Sequence, residues 1–423
     1  MAHRHAPHSG TVRIPERLRR LLLLVTVPIV AATLVGMFVL RPRGRGPDLR
    51  EVLGPAAVLV DGTVTDARQG PCAGTPQGAG TACQELSVRL TSGPDAGQQV
   101  TLENALGPGA PEISVGDRIV VGLSEVEGGP RQYYFSDYQR GPPTLLLAAI
   151  FALAVVALGR WQGLRALAAL VATLLVLVLF VLPAILQGRS PIAVAVISSA
   201  FIMLVVLCVT GGWNVRTMIA FLGTSASLAL IAVLAWAFVE ATQLTGLASE
   251  EATFLQAAAG RINLRGLLLG GVIIGSLGVL DDMTVTQVAA VWELRQADPS
   301  FGFTSLYRAA ERIGRSHIAS TVNTLVLAYA GASLPLLILF TQSHQRLGRV
   351  FTGEIIATEV VRTLVGSIGL VASVPITTAL GAFVLTRGAG PSTPGQEGDR
   401  PTPGQRWREL WARRGAGSEP GRH

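Results

Sequence analysis

Residues 266–287 read GLLLGGVIIGSLGVLDDMTVTQ. An apolar, glycine-studded run about long enough to cross a bilayer meets two adjacent carboxylates, Asp281 and Asp282, and then a threonine-rich stretch. On a helix, Gly271, Gly275, Gly278 and Asp282 follow at spacings of four, three and four, so one face is nearly free of side chains and ends in a charge. Asp281 points about 100° away. The pattern decides for a membrane-spanning helix. It leaves two readings of the aspartates: charges that mark where the helix leaves the bilayer, or an ion- or proton-linked site.

The rest of the chain agrees with a membrane protein. Of its 423 residues 49% are hydrophobic, with several apolar runs of about twenty, which excludes an ordinary soluble domain. All 34 basic residues are arginine, so the phosphate-cradling lysine of a P-loop and any Schiff-base lysine are absent. The formal charge of +7 belongs to arginines at helix flanks and in the tail, which points to membrane topology and not to nucleic acid. Gly-x-Ser-x-Gly, His-Glu-x-x-His and Cys-x-x-Cys do not occur. Neighbouring aspartates on one helix cannot face each other as a protease dyad does. The expectation is a protein without enzymatic activity, cofactor or metal.

Five regions follow from composition. Residues 1–20 form an arginine- and histidine-bearing cytoplasmic tail, and 21–40 an uncleaved anchor helix. Residues 41–143 turn to Gly, Pro and short alternating runs around 58–60, 86–90, 100–102, 119–121 and 133–135, which reads as a small extracytoplasmic β domain, OB-like in its five short strands. Cys72 and Cys83, close together in that domain, suit a disulfide in an oxidising compartment. Tyr133, Tyr134 and Tyr138 are read as core or interfacial aromatics ahead of ligand-stacking ones.

Residues 144–386 form a seven-helix membrane domain, with spans near 144–159, 164–186, 191–210, 217–239, 266–280, 320–340 and 363–385. With the anchor this makes a mainly α, polytopic protein of about eight transmembrane helices and places both termini in the cytoplasm of a bacterial cell, with the β domain outside. Between the fifth and sixth of these spans, 282–319 reads as two amphipathic helices broken at Asp298-Pro299. Residues 240–265, outside, read as a helix lying along the interface or, alternatively, as a solvated connector. Residues 387–423 read as a disordered cytoplasmic tail.

Polar groups inside an apolar domain nominate the site. Asp282 is expected to be the protonatable or cation-binding group, taken as the inward member of the pair, with Asp281, Thr284, Thr286 and Gln287 supplying ligands. His317 and Asn323, in a Ser/Thr-rich stretch at the same depth, complete the set. Gly271, Gly275, Gly278, Gly366 and Gly369 are expected to be helix-packing positions. Asn214-Val215-Arg216 and Asn263-Leu264-Arg265 open two spans from opposite sides with a faint inverted-repeat echo.

The stretch Gly278 to Gln287, together with Ile262-Asn263-Leu264-Arg265-Gly266 and Val361-Arg362-Thr363-Leu364-Val365-Gly366-Ser367-Ile368-Gly369-Leu370, resembles the YibE/F family of multi-pass bacterial membrane proteins. The resemblance covers essentially residues 144–385, and the strand-rich segment resembles the family's extracytoplasmic region. It implies a membrane protein of a class suspected of transport, without a defined biochemical role. The layout is also similar in pattern to RND-type permeases, which move helices with a proton gradient. The resulting expectation is a secondary transporter or proton-linked permease of the cell membrane that carries a small solute or ion, contacts the lipid bilayer and forms a homo-oligomer. The alternative is a non-transporting scaffold that presents the β domain to envelope partners.

Overall fold

The computed structural model describes residues 15–43, 58–72, 82–107, 109–124, 131–258, 262–335, 337–338 and 353–387. The expected tails, for residues 1–14 and 388–423, lie outside this set, as does the end of the span expected at 320–340.

Five strands form the first folded unit: β1 Val58–Pro71, β2 Ala82–Leu90, β3 Gln99–Leu106, β4 Arg118–Ser124 and β5 Gln132–Tyr138. They pair antiparallel in the order β3-β2-β1-β4-β5, and a bulge between Val64 and Asp66 bends β1. The bend brings the edge strands β3 and β5 into contact, so the sheet rolls into a half-barrel. Every second side chain of β2, namely Leu86, Val88 and Leu90, points inward onto Val60, Ile119 and Val121. Gln84 is buried among them and pairs its amide with both backbone groups of Ile113, which anchors the segment before β4. Cys72 and Cys83 are bonded, with their Cα atoms 4.8 Å apart.

The helices are α1 Glu16–Leu40, α2 Gly141–Val176, α3 Leu182–Leu186, α4 Pro191–Gly211, α5 Val215–Ala241, α6 Glu250–Ala258, α7 Leu264–Ala297, α8 Phe303–Ala332 and α9 Glu354–Arg387. A π-helical turn, Leu177–Val181, joins α2 to α3 just ahead of Pro183, whose missing N–H breaks the regular ladder. Inside α2 the chain turns at Arg160 (φ 48°), and Gly163 lies so close that a Cβ there would stand 2.2 Å from the Val155 carbonyl oxygen. Among the described residues six helices are long and apolar enough to cross a membrane: α1, the 141–186 unit, α4, α5, α7 and α9. The chain is therefore a multi-pass, mainly helical membrane protein with a small β domain.

Two expected boundaries are corrected. The helix that carries the span expected at 266–280 does not end at the aspartates: α7 runs unbroken to Ala297 and takes in the first expected amphipathic helix. No Gly or Pro interrupts 282–297, so the backbone ladder continues past the charges that end the apolar run. The chain turns only at Asp298-Pro299, where buried Arg295 donates to the Phe301 carbonyl at 2.6 Å and Asp298 accepts from the Ser300 amide. Likewise α8 starts at Phe303, not near 320, and absorbs the second expected amphipathic helix.

At the centre lie α5, α7 and α9. Gly223 faces Thr377 and Gly369 faces Ile231, so α5 runs antiparallel to α9. Gly366 faces Ser276 and Gly381 faces Val291, so α7 and α9 run parallel. Asn214 and Asn263 start α5 and α7, each side chain accepting the N–H three residues on, from Thr217 and Gly266. Helix α8 lies against the same core, with Ala310 near Gln287 and Ile318, Val322 and Leu325 against Met283, Leu370 and Val374.

Candidate functional site

The aspartate pair sits near the middle of α7, about 25 Å from its start at 1.5 Å per residue. The inward member of the pair is not Asp282. Asp282 is exposed, whereas Asp281 is half-buried and its Oδ1 is buried without a hydrogen-bond partner. The reason is where neighbours approach α7. Gly271 and Gly278 have nothing within 4 Å of a built Cβ, and Gly275 meets only the Tyr329 hydroxyl at 3.9 Å. The stripe ending in Asp282 is thus an open face, which corrects its expected packing role. Gly366 and Gly369 do pack closely, on Ser276 and Ile231.

A polar seam runs through the core beside Asp281. Thr284 and Thr224 are fully buried, their hydroxyls 2.6 Å apart. Each also lies within bonding distance of a carbonyl one turn back, of Leu280 and Ala220. The Thr284 hydroxyl also lies 3.2 Å from the Asp281 carbonyl; two hydroxyl protons serve these four contacts, so one hydroxyl donates to the other and the second donates to its own helix. One turn on, buried Gln287 donates to the Thr378 hydroxyl at 2.7 Å and to the Ala310 carbonyl at 2.9 Å, while Thr378 donates to Val374. Ser227 and Ser373 are buried alongside, and the Thr377 hydroxyl has no partner. Small residues permit this crowding: a Cβ on Gly223 would stand 2.5 Å from Thr377 Oγ1, and one on Gly314 would stand 2.8 Å from Gln287 Oε1.

Of the residues nominated from sequence, the structure gathers Thr284 and Gln287 into the seam, with Asp281 one turn from Thr284 on the same helix. His317 is half-buried on α8 with Nδ1 buried and unpartnered. Asn323 is exposed, and so is Thr286, whose hydroxyl returns to the Asp282 carbonyl at 2.7 Å. Sequence reasoning missed Thr224, Ser227, Ser373, Thr377 and Thr378. The available signal was Thr224-Ser225-Ala226-Ser227 and Pro375-Ile376-Thr377-Thr378, polar residues set inside apolar spans. Among the described residues no three of His, Cys, Asp and Glu converge to hold a metal.

At the opposite end of α5 and α7 the contacts are structural. Glu354 accepts from the Thr245 amide, the Thr245 hydroxyl and the Gly246 amide, and Arg265 pairs with Glu240 at 2.9 Å. Glu359 and Arg362 form a half-exposed pair at 3.0 Å.

With this geometry in hand, residues 147–387, more than half of the chain, match the family described as YibE/F-like protein. No curated protein and no solved structure matches the chain.

Proposed function

We propose, from the premise that this chain belongs to the YibE/F-like protein family, that its membrane domain is a secondary transporter or proton-linked permease coupled through Asp281. The observation that carries the reading is the unpartnered, buried Oδ1 of Asp281 beside the hydroxyl–amide seam. An unsatisfied carboxylate oxygen at that depth is costly, and a proton or a small cation satisfies it. Thr284, Thr224 and Gln287 lie within a turn or two of it, on the helices that would move against each other. Asp282 takes a secondary place.

The same reading counts α2 as two crossings and α8 as another, giving eight with both termini in the cytoplasm of the cell and the β domain outside. An OB-like barrel is supported by the strand order and by the β3–β5 contact, which would close the circuit β1-β2-β3-β5-β4. In this scheme the β domain receives or hands over solute, and no catalysis is involved. The scaffold reading has one observation in its favour: the open Gly271–Gly275–Gly278–Asp282 face is a composition suited to a second protein surface, including another copy of this chain.

Charge movement after a pH step, recorded from proteoliposomes on a solid-supported membrane, tests the coupling without a known solute. Wild type and Asp282→Asn are expected to respond and Asp281→Asn to be silent while still folded. An unchanged response in Asp281→Asn overturns the assignment.

A further inference from the structure

A cavity of about 790 Å³ opens where the start of α1, the turn inside α2, the α4–α5 junction and the later turns of α7 meet. Its cationic side comes from Arg19 and Arg216; among the described residues no Asp or Glu lines it, and neither arginine is paired with a carboxylate. The Arg216 guanidinium lies over the Trp292 ring, 4.4 Å from its centroid, which holds the planar group by its face and leaves its N–H edge free to bind. The 27-residue helix α5 begins in the same wall, so the first-turn amides of Val215 and Arg216 and the positive end of the helix dipole add to the field. Trp213, Met218, Leu207 and Val285 add apolar lining to the same cavity.

We infer that this cavity is a binding site for an organic anion, with a phosphate or carboxylate head on the Arg19–Arg216 side and an apolar or aromatic body against Trp213 and Met218. A volume of this size fits a small organic molecule and exceeds what a bare inorganic anion fills. Membrane topology alone explains arginines on one side of a bilayer; it does not explain two of them, a helix start and two tryptophans around one concave space. The site is separate from the Asp281 seam, so it stands or falls independently of proton coupling. The anionic group has two possible carriers, a soluble solute or a lipid headgroup.

The intact protein in phosphatidylcholine nanodiscs is titrated with phenyl phosphate while intrinsic fluorescence is followed, to which Trp213 and Trp292 contribute among the six tryptophans of the chain. Saturable quenching is expected, weakened about tenfold in Arg216→Gln and also in Arg19→Gln, which lies outside α5 and controls for a local fold defect. Arg216→Lys is expected to recover part of the response, and benzyl alcohol to give none. Adding phosphatidic acid to the discs separates the carriers: loss of the phenyl phosphate response identifies a headgroup as occupant, and persistence identifies a soluble anion. Absence of saturation in wild type, unchanged affinity in both glutamine variants, or equal quenching by benzyl alcohol overturns the inference.

Discussion

The Gln287 amide on α7 donates to the Thr378 hydroxyl on α9 across 2.7 Å, in the fully buried centre of the helix bundle. The same nitrogen reaches the Ala310 carbonyl of α8, so one side chain ties three helices. Gln287→Ala removes both bonds and leaves space behind. The expected loss is about 2 kcal/mol, since interhelical hydrogen bonds in membranes average about 0.6 kcal/mol each and the vacated volume adds to that. A double-mutant cycle with Thr378→Val in denaturant unfolding is expected to show coupling. A cycle with Thr358→Val, a turn into α9 at its far end, is expected to show none.

Gly369 and Gly278 look alike in sequence and differ in place. A Cβ on Gly369 would stand 2.1 Å from Ile231 Cγ1, whereas a Cβ on Gly278 meets nothing within 4 Å. Gly369→Leu is therefore expected to abolish the folded state or lower its stability by more than about 3 kcal/mol, with partial recovery from Ile231→Ala. Gly278→Leu is expected to leave the thermal midpoint in detergent unchanged. Equal damage from both changes would show that the open face is covered.

That contrast shows how far the sequence can be read. The five β strands were legible as alternating runs, and the starts of α5 and α7 as Asn214 and Asn263, because pleat and N-cap are local chemistry. The end of α7 was misread because hydropathy drops at Asp281 and Asp282, although the backbone has no reason to stop before Pro299. Which aspartate turns inward was not legible. A glycine stripe permits close approach, and only the positions of α5, α8 and α9 decide whether anything approaches. Thr377 and Thr378 escaped notice because a helix that is apolar on average hides two hydroxyls.

Asp95 gives the β domain a pH dependence. Chiefly the Tyr133 hydroxyl, opposed by partial burial and aided by Arg131, holds its carboxyl below the usual value of 3.8. A depressed folded value means that the unfolded chain takes up the proton first as pH falls. The stabilisation is complete above the usual carboxylate value and is lost as pH falls through the lowered one. Tyr133→Phe is expected to shift acid unfolding of the half-barrel to higher pH. Hydrogen exchange in the turn at 91–98 and in β5, followed in the intact protein, measures it; identical acid profiles for variant and wild type would remove Asp95 as the latch.

The Cys72–Cys83 bond closes a short loop between β1 and β2, with a sequence separation of 11. In the loop-entropy account, cross-links over such a length stabilise by about 3 kcal/mol through the unfolded chain, so Cys83→Ser is expected to weaken the β1–β2 end of the sheet by up to that amount. Hydrogen exchange at residues 66–71 and 84–88 should rise before that of β4, which is paired on the far side of β1. The bond also reports which side of the membrane the β domain occupies. In intact cells a membrane-impermeant phosphine followed by an impermeant maleimide is expected to label this pair and to spare Cys208, which lies inside α4. Labelling of the pair only after permeabilisation would place the β domain in the cytoplasm and invert the proposed topology, because the impermeant reagents reach only groups outside the membrane of an intact cell.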